Sequence, residues 1–183
     1  NTTTKPMSLN KKPVSSCLLA LTLLSACSGG GSSSHPRSAA TSTYTADVAT
    51  QWMDQLYDGI RVAAMTPPVA SRAIAYCGVA FYEAVVPGMK EHQSLGGQLN
   101  DLGALPALPG GVHHWPAAAN TAMAATMRSL FASSAAVVAS VDALEAQIEG
   151  GFTVSQSVLD RSIDRGTVIA TAVLAWAATD GFS

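Results

Sequence analysis

Few side chains in this 183-residue chain have types and spacing that could do chemistry. His113 and His114 are adjacent, and imidazole nitrogens are good metal ligands. Neighbouring residues point in different directions on any regular element, and no Cys or carboxylate lies beside this pair at ligand spacing. A loop or surface role is the expectation. Glu83 and Glu91 would suit a di-iron bundle only within Glu-x-x-His. Ala84, Val85 and Val86 follow Glu83, and His92 directly follows Glu91, so that spacing fails. Serine hydrolysis needs a nucleophile, a base and an orienting group, and no G-x-S-x-G elbow occurs. Gly150-Gly151 is not followed by the Lys-Ser or Lys-Thr of a phosphate loop. Asp160, Arg161, Asp164 and Arg165 fall within two helical turns. Arg161 and Asp164 at i,i+3 can pair, and the group reads as a solvated helix face. The expectation is that this stretch of polypeptide holds no catalytic residue, no cofactor-binding residue and no metal ligand.

The cysteines point elsewhere. Lys11-Lys12 precede an apolar run from Val14 to Leu24, which ends in Leu24-Ser25-Ala26-Cys27. A basic region followed by a short apolar run is an export signal, kept apart from fold reasoning. Its last four residues resemble the lipobox of bacterial lipoproteins, in which the Cys is acylated and becomes the new N-terminus. Cys27 is therefore the expected lipidation site, and residues 1–27 are upstream residues plus signal peptide. The implied location is the cell envelope, with the membrane as a partner through the lipid. Cys17 leaves with the signal, so Cys77 is the lone thiol of the mature domain and can form no intrachain disulfide. Its Ala, Val and Tyr neighbours predict a buried structural thiol.

The elements that would position these residues are helical. Nearly half the residues are apolar, 48%, yet only 6% are aromatic, and Ala makes up much of the difference. Ala is the best helix former and lets backbones approach closely. Charge is sparse, with a formal net of −2, and no basic patch marks a nucleic-acid partner. Residues 28–44 are Gly/Ser-rich and read as a flexible linker; 45–183 read as the folded region. Val48, Trp52, Leu56 and Ile60 recur at i+4, with Met53 and Tyr57 widening the stripe, which predicts a helix over about 46–65. Thr66-Pro67-Pro68 ends it and opens a second, about 68–86. Residues 87–115 form a long irregular connection. Helices follow over about 116–131, 135–149 and 154–179, the last opened by a Thr153/Gln156 capping box. The apolar run 167–179 is shorter than the roughly 20 residues of a membrane span and reads as core. The prediction is an all-α bundle of about five helices without strands.

The order of these features resembles the opening of bacterial vanadium-dependent haloperoxidase-like proteins, in the type 2 phosphatidic acid phosphatase/haloperoxidase superfamily. The second helix matches A-x-R-x-x-A-x-x-x-x-A-x-Y-[DE]-A-[VI] from Ser71-Arg72-Ala73 to Tyr82-Glu83-Ala84-Val85, with Glu83 where Asp is more common. The Ala-rich helix from Trp115 and the stretch from Arg165-Gly166 through Trp176 to Asp180-Gly181 also fit. The resemblance spans about residues 48–183. It implies that this is the first half of a larger helical domain. It also implies that vanadate, or a substrate phosphate, is bound in the second half by a Lys, an Arg-Pro pair, P-S-G-H and G-x-H with a nearby Arg. Neither the Arg-Pro pair nor P-S-G-H occurs here. The resemblance thus implies the N-terminal part of an exported peroxide-dependent halide oxidase, with the missing second half as its partner. A phosphatase on the same scaffold and a non-enzymatic tethered lipoprotein are the alternatives. The last helix carries an apolar face, Val158 to Ala177, that is expected to be too broad for its neighbours to cover. Arg72 and Glu83 are expected to anchor helices through ionic partners.

Overall fold

The structure is a computed structural model and describes residues 37–182. The export signal, Cys27 and the upstream part of the expected linker lie outside the described residues. Five helices occur in chain order: α1 (Asp47–Val62), α2 (Pro67–Val85), α3 (Trp115–Leu130), α4 (Ala135–Gly150) and α5 (Gln156–Ala177). Short 3-10 turns lie at Thr41–Thr43 and Val86–Gly88. No strand occurs among the described residues, so the fold is the all-α bundle that the Ala-rich composition predicts.

The helix boundaries follow local chemistry. Thr66 is extended and Pro67 and Pro68 occupy the first turn of α2, where a missing N–H and a fixed φ cost nothing. Pro116 plays the same part in α3. The opening of α5 differs from expectation: Ser155 is the cap position, without a side-chain cap bond, and Gln156 Nε2 donates to Asp160 Oδ1 at 2.7 Å. The Thr153/Gln156 capping box is not formed, because the helix starts too late for it.

The bundle is built around α3. Trp115, all residues from Ala117 to Ala124, Thr126 and Met127 are buried, since the other four helices pack around this one. Trp52 and Leu56 of α1 enter a core with Met123, Met127, Phe131, Val137 and Val141. Met53 and Tyr57 do not widen that stripe inward; they are 40% and 64% exposed. The Trp52 indole donates to Asn120 Oδ1 at 2.9 Å, and Asn120 Nδ2 donates to the Glu145 carbonyl at 3.1 Å, tying α1, α3 and α4. Cys77 is fully buried. Helix α2 with its 3-10 extension, Pro67–Gly88, is long and apolar enough to cross a membrane. Ala73, Tyr76, Cys77, Ala80 and Ala84 are buried against the other helices, so it serves as a core helix.

The apolar face of α5 is better covered than expected. Gly166, Ile169, Ala170, Val173 and Ala177 are buried against α2 and α3. Val158, Leu159 and Ile163 are half-buried, and Val168 remains 42% exposed. The reason is Gly166. A Cβ there would lie 2.5 Å from the Ala118 carbonyl oxygen and 2.9 Å from the Ala122 nitrogen. Its absence lets α3 and α5 approach to backbone contact.

Candidate functional site

Of the charged residues singled out in the sequence, Arg72, Glu83 and Arg165 lie along the seam between α2 and α5. Arg72 projects from the first turns of α2. Its Nε donates to Asp180 Oδ2 at 2.5 Å, and its Nη2 donates to the Ala177 carbonyl at 2.7 Å. The Tyr76 hydroxyl donates to the same Asp180 oxygen at 2.7 Å, and the Phe182 N–H donates to Oδ1 at 2.9 Å. The guanidinium also lies 5.2 Å from the Tyr76 ring centre and 5.3 Å from that of Phe182, within cation–π range. Hydrogen bonding from Arg72, then from the Phe182 N–H and Tyr76, holds the Asp180 carboxyl well below the usual carboxylate range. Burial, followed by the Asp180 bond, raises the Tyr76 phenol. This clasp fixes the chain as it leaves α5.

About three turns further along α2 from Arg72, Glu83 is buried at 0% exposure, as is Arg165 of α5 at 4%. Arg165 is therefore not on a solvated face. Its terminal nitrogens donate to the Pro106 carbonyl (2.8 Å) and the Glu83 carbonyl (3.0 Å). Burial lowers its guanidinium pKa, and the nearby Glu83 charge partly offsets this. The Glu83 carboxylate accepts from Ser94 Oγ (2.9 Å) and the Leu95 N–H (2.5 Å). The two charges are not in direct contact. Both line a cavity of about 210 Å3 together with His92, Ser94 and Pro106. Glu83 thus anchors the irregular 89–114 arm rather than another helix. The expected Arg161–Asp164 pair is not formed; Arg161 Nε donates to the Val112 carbonyl at 3.2 Å.

The histidine pair lies in the arm just before α3, and His113 is 1% exposed, not a surface residue. It stacks on Trp115, with ring centres 5.5 Å apart. His114 sits edge-on to Tyr44 and Phe152. Burial lowers the pKa of both imidazoles, which favours the neutral form. Both residues pack as aromatic core, and no group of three or more metal-ligating side chains gathers among the described residues.

Upstream of α1 the linker is not free over its whole expected length. The His113 N–H donates to Ser38 Oγ (2.8 Å), the Trp115 indole to the Ala39 carbonyl (2.6 Å), and the Thr41 hydroxyl to the Val85 carbonyl (2.8 Å). Residues 38–44 are a strap fixed to the bundle, because buried donors at the start of α3 need acceptors. Between this strap, α2 and α3 runs an apolar groove of about 730 Å3. Sequence reasoning missed the strap and the partner of Arg72. Ser and Asp are common turn residues, and nothing in their spacing announces contacts to residues over seventy positions away.

An oxyanion such as vanadate needs converging cationic donors. Arg61, Arg72 and Arg128 are engaged by carboxylates, Asp58, Asp180 and Asp142 with Glu145 respectively. Arg161 gives one bond to a backbone carbonyl and Arg165 two; Arg165 Nε is buried without a partner, but the Glu83 carboxylate acts on the same guanidinium. These residues do not fit an oxyanion.

No protein-family model matches the chain, and no curated protein does. A solved structure described as the first bacterial vanadium-dependent iodoperoxidase is similar to it, with a TM-score of 0.61 and 27% identity over 74% of this chain. The match covers 32% of that protein, so the chain spans about a third of its length. The fold is haloperoxidase-like.

Proposed function

We propose that this chain is the N-terminal helical region of an exported, membrane-anchored, vanadium-dependent haloperoxidase-like protein. The observation that carries the reading is the similarity to the bacterial iodoperoxidase at 27% identity across three quarters of this chain. In this reading the helices are scaffold. Helix α3 is the hub, α2 and α5 pack on it, and the Arg72–Tyr76–Asp180 clasp directs the chain onward from α5. Vanadate binding and peroxide-dependent halide oxidation belong to residues beyond Ser183. Acylated Cys27 holds the protein to the membrane.

The test begins with the DNA beyond the Ser183 codon. An open frame carrying Lys, Arg-Pro, P-S-G-H and G-x-H is expected. Protein from that frame should oxidise iodide or bromide with hydrogen peroxide only when loaded with vanadate. An immediate stop codon would overturn the reading, as would a full-length protein that hydrolyses phosphate esters and oxidises no halide. Labelled palmitate should enter the protein and be lost in Cys27→Ser.

A further inference from the structure

We infer that residues 38–44 are an acid-released strap, with His113 and His114 as the pair that frees it. Both histidines sit where the strap is held. The His113 backbone N–H donates to Ser38 Oγ. The Trp115 indole, on which the His113 ring stacks, donates to the Ala39 carbonyl. The His114 ring stands edge-on to Tyr44 at the far end of the strap, with 5.1 Å between ring centres.

This packing suits neutral rings and not cations. His113 Nδ1 lies 3.1 Å from the Gly111 carbonyl, which assigns the proton of the neutral ring to that nitrogen. His113 Nε2 and His114 Nδ1 are buried without a protein partner. An imidazolium carries an N–H on both nitrogens, so each ring, once protonated, would hold a buried donor with no acceptor. The charges that act on His113 oppose protonation as well. They are Arg161 and Arg165 of α5, the second partly offset by Glu83. Among the described residues lining the cavity beside His114, the charged one is Asp47 of α1. Asp47 is exposed and its Oδ2 accepts from Thr45, so water and salt screen its pull on the ring.

An open strap lets both rings meet water, which accepts the second proton. Burial lowers both imidazole pKa values in the closed state. The closed strap therefore keeps its full advantage above the ordinary imidazole pKa of about 6.5. It loses that advantage as the pH falls from there towards the lower values of the closed state. At about pH 5.5, each imidazole that takes its proton only in the open state favours that state about tenfold, and the two together about a hundredfold. Release also removes one wall of the apolar groove, because Ala40, Thr41 and Ser42 line it.

The experiment is amide hydrogen exchange on the full chain at about pH 7.5 and 5.5, corrected for the intrinsic exchange rate at each pH. The lower value leaves Asp180 charged. The Thr43 and Tyr44 amides, which donate within the strap, and the His113 amide report its state. Their protection should fall about tenfold or more at the lower pH, while amides inside α4 hold theirs. In His113→Phe/His114→Phe, which keeps two flat rings that do not titrate, strap protection should be the same at both pH values. Circular dichroism verifies that the variant is folded; if it is not, the single variants replace it, each expected to lose part of the effect. Equal strap protection in the parent at both pH values overturns the inference. So does an acid loss that survives both histidine substitutions, and so does an equal loss in α4, because the whole bundle is then opening.

Discussion

Gly166→Ala tests the reason given for the closure of the bundle. The added methyl would stand 2.5 Å from the Ala118 carbonyl oxygen, 2.8 Å from Thr121 Cβ and 2.9 Å from the Ala122 nitrogen. Two of these obstacles are backbone atoms of α3, which cannot rotate aside, so the helices must separate. Overpacking of this kind costs about 3 kcal/mol, and the better helix propensity of Ala returns about 1, leaving a net loss of about 2 kcal/mol. Gly78→Ala is the internal control. It also lies within a helix, but its added Cβ would meet nothing within 4 Å. It should stabilise by up to about 1 kcal/mol. For a domain of this size the expected shifts are roughly −6 °C for Gly166→Ala and +3 °C for Gly78→Ala, read by thermal melting at matched concentration. If both variants melt at or above the parent, α3 and α5 are not in backbone contact, and the account of α5 burial is wrong.

The clasp has a pH signature. The Asp180 carboxyl is held below its ordinary range chiefly by Arg72, so its contribution is complete above the ordinary carboxylate pKa and is lost as pH falls through the lower folded value. The parent should therefore lose stability below about pH 4. Asp180→Asn, already weaker at neutral pH, should show a shallower acid decline; identical pH profiles would refute the clasp. Glu83→Ala removes the charge that partly offsets the burial of Arg165 and the acceptor for Ser94 and the Leu95 N–H, and should cost about 3 kcal/mol in denaturant unfolding. Hydrogen exchange should quicken at the Leu95 amide more than in α4. Cys77 is fully buried, and desolvation pushes its thiol pKa up to about 12. Ellman's reagent should react with it only on unfolding, and reaction at native rates comparable to a free thiol would contradict that burial.

The sequence was sufficient for the helices, because helix formation is decided by local features. The apolar spacing of Trp52 and Leu56, the Pro67-Pro68 and Pro116 starts and the Gly150-Gly151 stop each act within a few residues. The burial of Cys77 was legible for the same reason, from its Ala, Val and Tyr neighbours. What could not be read was which side of a polar residue would meet what. Arg165 looked like part of a solvated face, yet it is buried because Pro106 and Glu83, distant in sequence, offer it carbonyls. His113 was expected in a loop or at the surface; it lies in a loop but is buried and packed on Trp115. Ser38 and Ala39 looked like linker, but they accept bonds from the arm and from α3. Asp180 looked like a turn residue and became the partner of Arg72, 108 positions earlier. Local propensity is a property of a few consecutive residues, so the sequence alone determined the helices. Pairing of buried polar groups depends on how those helices cross, and that was decided only by the tertiary structure, through contacts such as Gly166 against the backbone of α3.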